Sequence, residues 1–177
     1  MNINELDNKL NSLDDKLIDE KEKLCLEYAK GGVNDAYSYL GDIYYFDKDD
    51  LNKAMDYYSK CTNNGYAIYM QGVIYENIYY EKQDLDKAKE CLLKAANDYE
   101  YKDAIYEIGF NYLNGNNGYE KNAKKAVEYL KKAVDLKYSE AYYSLALCYK
   151  NGTGVEKDLN KAFDLMKEAY LLLNGEE

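Results

Sequence analysis

Small and apolar residues recur along this chain at helical spacing. Ala36, Leu40 and Ile43/Tyr44 fall at i, i+4 and i+7/i+8, and Ala126, Tyr129/Leu130 and Ala133 do the same. That is one stripe of a 3.6-residue period, the face a helix turns toward a core. Breakers separate the stripes: Asn114-Gly115-Asn116-Asn117-Gly118 and Asn151-Gly152-Thr153-Gly154. Gly and Asn tolerate positive φ and end a helix there. No Pro interrupts the chain, which suits a fold that is nearly all helix.

The stripes form a repeat. Four segments open on Ala36, Ala67, Ala104 and Ala141. Five residues after each comes Gly41, Gly72, Gly109 or Ala146, and three further on comes Tyr44, Tyr75, Tyr112 or Tyr149. A second block follows each opening at Lys53-Ala54, Lys87-Ala88, Lys125-Ala126 and Lys161-Ala162. Seven residues past those alanines stand Cys61, Ala95, Ala133 and Ala169. Successive Lys-Ala alanines are 34, 38 and 36 residues apart, so both blocks stay in step over four copies. Small residues at fixed register let two helices approach closely. Asp158, just ahead of Leu159, is placed to N-cap the last helix. The stretch from about Glu5 to Lys30 reads as one longer helix, dense in charge in its first half, that caps the array with a polar outer face.

Composition narrows the function. The 177 residues suffice for one domain or one short array. Acids outnumber bases 33 to 23, giving a formal charge of −10, and every base is Lys. Without His there is no Ser-His-Asp or Cys-His arrangement and no His-containing zinc site. Without Arg there is no bidentate clamp for phosphate. The acid excess repels nucleic acid and anionic lipid. The first residues lack the basic and apolar regions of a secretory signal, and the longest apolar run, Tyr170-Leu171-Leu172-Leu173, is far shorter than a membrane span. A cytoplasmic protein is expected. Cys25, Cys61, Cys91 and Cys148 form no CxxC pair and sit in apolar helical patterns, as reduced, mostly buried thiols do.

The repeat resembles the Sel-one-like repeat, a branch of the tetratricopeptide superfamily. The fourth copy carries the likeness furthest, with Ala141, Leu145, Ala146 in place of Gly, Tyr149, Gly152, Gly154, Val155, Asp158, Lys161, Ala162 and Ala169. The third matches with one extra loop residue, and the first is three residues shorter. The resemblance implies an all-α, right-handed superhelical solenoid of about four antiparallel helix pairs. Residues 1–33 would be the N-terminal cap and 34–177 one solenoid domain of repeats at 34–65, 66–101, 102–138 and 139–173. Some secreted relatives carry a disulfide in each repeat; the matching positions here hold Tyr37, Ile68, Ile105 and Tyr142, which agrees with a reducing compartment. Relatives act mostly as adaptors and scaffolds.

Tyr69, Tyr106 and Tyr143 share one repeat position, three before the Gly or Ala. In tetratricopeptide geometry that position faces the concave groove, with Asp42, Val73, Phe110 and Leu147 as its neighbours and Tyr45 and Phe46 extending the surface. An aromatic ladder there would anchor a peptide or helix, with Asp42, Asp103 and Glu140 as rim charges. The same tyrosines could instead pack between repeats, and the residues leave both readings open. Tyr44, Tyr75, Tyr112 and Tyr149 fit the family's core Tyr.

The acidic loop Asp47/Asp49/Asp50 lacks the Gly and Glu of a calcium loop, since those places hold Asn52 and Tyr58. The glycine loops lack the phosphate-binding pattern. No catalytic constellation, metal site or cofactor site is expected. The expectation is a non-catalytic, monomeric interaction module that binds a protein in its groove. The alternative is a small acidic inhibitor, of immunity type, that blocks a basic toxin or nucleic-acid enzyme. Tyr170–Leu173 would fold back on the fourth repeat or form a dimer contact.

Overall fold

The structure, a computed structural model, describes residues 1–14 and 17–174. The described residues form helices and turns, without a strand among them. In chain order the helices are α1 (Ile3–Ser12), α2 (Ile18–Lys30), α3 (Ala36–Asp42, continued by a π-helical turn Ile43–Asp47), α4 (Leu51–Lys60) and α5 (Gly65–Glu76), then α6 (Leu85–Tyr99), α7 (Lys102–Asn114), α8 (Ala123–Asp135), α9 (Ser139–Asn151) and α10 (Leu159–Asn174). They pack as two compact units, Met1–Ala88 and Lys89–Glu177, with the boundary inside α6.

In the first unit, Leu6, Cys25, Tyr28, Ala36 and Leu40 form a buried cluster that joins α1, α2 and α3. The expected single N-terminal helix is two. Ser12 turns its hydroxyl to the Lys9 carbonyl, and Leu13 leaves the helix in extended conformation. Local side-chain bonds of this kind compete with the helical ladder. The break lets α1 lie against α2 and bury Leu6, worth about 1.5–3 kcal/mol for such a side chain. A second cluster holds Tyr44, Ala54, Tyr58, Ala67, Met70 and Ile74 between α3, α4 and α5.

In the second unit, Val127, Leu130, Leu145, Cys148, Tyr149 and Ala162 form the corresponding core. Helix α8 lies between α7 and α9, and α10 packs on α9. The repeat alanines Ala104, Ala126, Ala133, Ala141 and Ala162 are all buried at these crossings.

Repeat positions compensate in volume. A Cβ on Gly41 would meet the Tyr58 ring at 2.4 Å. Tyr58 stands four residues after Ala54, where the third repeat has Leu130 and the fourth Met166. The fourth repeat accommodates Ala146 at the glycine position.

Each turn between paired helices closes in one way. The backbone N–H of Asp50, Asp84, Asn122 and Asp158 donates to the carbonyl of Tyr44, Tyr75, Tyr112 and Tyr149, at 2.8, 3.0, 2.8 and 2.9 Å. The same four side chains then accept from the N–H of Lys53, Lys87, Lys125 and Lys161, each at 3.0 Å, and so cap the second helix. The cap expected at Asp158 is thus one of four. The longer turns of the third and fourth repeats begin with left-handed Gly115 and Gly152 (φ 76° and 73°). The short first turn begins instead with the π-helical turn, in which Lys48 N–H donates to the Ile43 carbonyl.

Candidate functional site

The residues expected to bind a partner do not share one environment. In the first unit, Asp42 ends α3, and one of its carboxylate oxygens accepts the hydroxyls of Tyr58 (2.6 Å) and Tyr66 (2.5 Å). Burial pushes its carboxyl above the ordinary aspartate range, while the two phenols pull the other way. Asp42 therefore ties α3 to α4 and α5, and it also lines a polar cavity of about 480 Å³ with Lys21, Tyr39, Phe46 and Asp47. Tyr45 and Tyr69 are half-buried and pack on the Tyr58 cluster, as does Val73. The Tyr45 ring meets the edge of exposed Phe46 at 4.7 Å between centroids.

The second unit gathers the rest. Tyr106, on α7, is half-buried; its hydroxyl lies 3.4 Å from that of Ser144, and its ring leans on Tyr138 (5.1 Å) and Phe110 (6.1 Å). Asp103 accepts the Tyr138 hydroxyl at 3.3 Å, and Glu140 accepts the Ser139 hydroxyl at 2.7 Å. Tyr143, one repeat on from Tyr106, is 57% exposed. Tyr106, Glu140 and Tyr143 line one predominantly apolar groove of about 550 Å³.

The far wall of that groove is α10, through Met166, Ala169, Tyr170 and Leu173. Of these, Met166 and Ala169 were no part of the expected site, and Tyr170 and Leu173 stood only in the terminal apolar run. The signal that would have found Met166, Tyr170 and Leu173 is the 4-3-4-3 spacing of Leu159, Phe163, Met166, Tyr170 and Leu173 along α10. An apolar recess with a few polar groups on its lip is the general form of a recognition site.

Chemically the groove offers three tyrosines with their phenol hydroxyls, two serine hydroxyls and one carboxylate. Among the described residues no group of Cys, Asp and Glu could hold a metal ion, and no helix is long and apolar enough to cross a membrane. All four cysteines are free thiols, and burial pushes that of Cys25 up to about 12.

Comparison with known proteins follows the same four segments. The Sel1 repeat pattern matches residues 34–66, 65–98, 102–138 and 139–172. The chain belongs to the Sel1 repeat family. Members of this family are generally scaffolds for protein–protein interaction. Among solved structures, a Sel1 repeat protein from Oxalobacter formigenes is 24% identical with a TM-score of 0.70, the match covering 78% of this chain and 58% of that one. This chain thus spans little more than half of the Oxalobacter protein. A Sel1 repeat protein from Klebsiella pneumoniae is 21% identical with a TM-score of 0.61, over 94% of this chain and 83% of that one. Helicobacter pylori cysteine rich protein B is 24% identical with a TM-score of 0.56, over 73% and 92%. No curated protein matches the chain. These likenesses show the all-helical Sel1 repeat fold that the sequence led one to expect.

Proposed function

We propose that this Sel1 repeat protein is a non-catalytic interaction module that docks a protein segment in the groove between α7, α9 and α10. Tyr106 and Tyr143 form its aromatic floor, Phe110 extends it, and Asp103 and Glu140 supply charge at its rim. The observation that carries this reading is Tyr143, largely exposed in an apolar groove of about 550 Å³. A tyrosine in such a groove brings large contact area and a polar tip to an interface. Tyr69, Tyr45 and Asp42 belong to this reading only as supports of the first unit, since each packs or bonds internally. Four free thiols suit a reducing compartment such as the cytoplasm.

Affinity capture from native lysate, wild type beside Tyr143→Ser, tests the site. One protein held by wild type and lost by the variant supports the groove. The same protein held equally by both removes Tyr143 from the interface.

The formal charge of −10 favours a second reading, an acidic inhibitor of a basic protein. Such a complex would form with an on-rate that falls steeply as salt rises, because steering is electrostatic. A segment anchored by tyrosines would show a weak salt dependence.

A further inference from the structure

We infer that the cavity between α1, α2 and α3 receives an arginine side chain from a partner protein. The inference rests on the reading of the chain as a protein-interaction module, but its surface belongs to the first unit and shares no residue with the groove of Tyr143.

The acid excess lies mainly in the first unit. Residues 1–88 hold 18 Asp and Glu against 10 Lys, a net charge of −8, whereas residues 89–177 hold 15 against 13, a net −2. The imbalance is sharpest along α3 and its turn, where five aspartates from Asp35 to Asp50 stand against Lys48 alone. Lys48 is taken up by Asp19 and Glu22 of α2.

The first repeat departs from the other three at positions that wall the cavity. Six residues after its repeat alanine it has Asp42, where the others have Val73, Phe110 and Leu147. Ten residues after that alanine comes Phe46 in place of Asn77, Asn114 and Asn151, followed by Asp47 in place of Ile78, Gly115 and Gly152. Helices α5, α7 and α9 end at that Asn or one residue before it. Helix α3 instead runs on through its π-helical turn, which carries Phe46 and Asp47. Asp42, Phe46 and Asp47 all line one cavity of about 480 Å³, so what is peculiar to this copy converges in space.

The lining suits a guanidinium and its stem. Leu10, Leu13 and Ile43 give the stem an apolar wall. Tyr58 and Tyr66 both donate to one oxygen of Asp42, and its other oxygen accepts no hydrogen bond among the described residues. Asp47 is near enough to push the Asp42 carboxyl further up. Phe46, 66% exposed and met edge-on by Tyr45, adds a ring that stacks on a planar cation. Lys21 also lines the cavity, so Asp42, Asp47 and Lys21 leave it one charge negative. A guanidinium neutralises that charge and reaches two acceptors and a ring at once, which the point charge of a lysine does not. The chain contains no Arg, so the occupant comes from another protein.

The probe is N-acetyl-arginine amide, titrated into the whole chain while backbone amide NMR signals are followed. The signals of Asp42, Phe46 and Asp47 are expected to shift and to saturate in the millimolar range. N-acetyl-citrulline amide, which has nearly the same shape without the charge, should leave them in place. Asp47→Asn, at an exposed residue, should weaken binding about fivefold with unchanged circular dichroism. Phe46→Ser should weaken it about threefold. Shifts that never saturate, an equal response to the citrulline compound, or shifts spread evenly over the exposed carboxylates of the first unit overturn the inference. Tyr143→Ser should leave the arginine response unchanged, so a failure of the Tyr143 groove and a failure of this cavity are read separately.

Discussion

Lys161 holds its ammonium nitrogen 4.7 Å from the centroid of the Tyr149 ring. The pair recurs in every repeat, with Lys53 over Tyr44 at 4.8 Å, Lys87 over Tyr75 at 5.5 Å and Lys125 over Tyr112 at 5.3 Å. The Lys of each Lys-Ala block thus has two duties. Its N–H donates to the side-chain oxygen of the Asp or Asn three residues before it, and its side chain covers the core tyrosine of the preceding helix. Cation, ring and cap close each helix pair on itself.

Removing the cap should therefore cost more than a surface change. Asn122→Ala is expected to destabilise the chain by about 1 kcal/mol. Lys125→Met, which keeps the stem and removes the charge, should destabilise it less. Urea unfolding of the two single variants and the double variant measures both, and coupling between them would show that cap and cation act together.

Gly41→Ala is expected to destabilise by about 1–3 kcal/mol, although alanine is the better helix former by about 1 kcal/mol. The added Cβ enters the Tyr58 ring. Tyr58 is anchored by Asp42, so the ring has little room to give. Thermal unfolding of Gly41→Ala beside Gly109→Ala, where the nearest side-chain atoms stand at 3.2 Å, should rank Gly41 as the costlier site.

Two carboxylates should respond to pH with opposite sign. Lys48, and then the Tyr44 hydroxyl, hold Glu22 below the ordinary glutamate range. Its contribution is complete above the unfolded glutamate value and is lost as pH falls through the depressed folded one. Burial raises Asp42 instead, so its charged form weighs against folding at neutral pH and that cost is relieved as pH falls. Glu22→Gln should cost about 1 kcal/mol at pH 7 and almost nothing well below pH 4. Asp42→Asn keeps an acceptor for both phenols and should be no less stable than wild type at pH 7. Denaturant curves at pH 7 and at a descending series of acidic pH values separate the two.

The thiols should differ in reactivity. Cys91 is half-buried, whereas Cys25, Cys61 and Cys148 are fully enclosed. A chromogenic disulfide reagent is expected to label Cys91 first and the others ~100-fold more slowly, through opening of the core. Peptide mapping of the first labelled site checks the order.

Tyr143→Ser should change stability by less than about 0.5 kcal/mol. Tyr69→Ser should cost about 1–3 kcal/mol, because Tyr69 packs on the Tyr58 cluster. Calorimetric melting of both variants distinguishes a surface tyrosine from a core one at the same repeat position.

That contrast marks what was legible in advance. The alanines, the glycine position, the core tyrosines and the Lys-Ala blocks repeat in register, so the helix pairs could be read from spacing alone, whereas of their four caps only that at Asp158 was. Tyr69, Tyr106 and Tyr143 also share a register, but their exposure depends on what the next helix lays over them. Tyr138 and Ser144 cover part of Tyr106, and nothing equivalent lies over Tyr143 among the described residues. Asp42 was expected at a rim because only its own position was considered. Its burial is set by Tyr58 and Tyr66, 16 and 24 residues away, and their hydroxyls have no periodic signature. The break between α1 and α2 was hidden because charged residues continue the helical pattern on both sides of it. The wall that α10 gives the groove was within reach, since its seam has the spacing of a helix interface, but a stripe of that kind says that it packs without saying on what.

The closure of each turn from tyrosine carbonyl to capping N–H spans six residues in the first repeat, nine in the second, ten in the third and nine in the fourth. The distance bridged in space hardly changes while the length of chain does. Turn length and helix register are therefore separate variables in this protein, and a duplicated repeat can accept or lose turn residues without shifting the helices that follow. The segment around Ile78 and Tyr79 is the place to splice in foreign sequence, since the clasp from Tyr75 to Asp84 would hold the flanking helices while the insert hangs free.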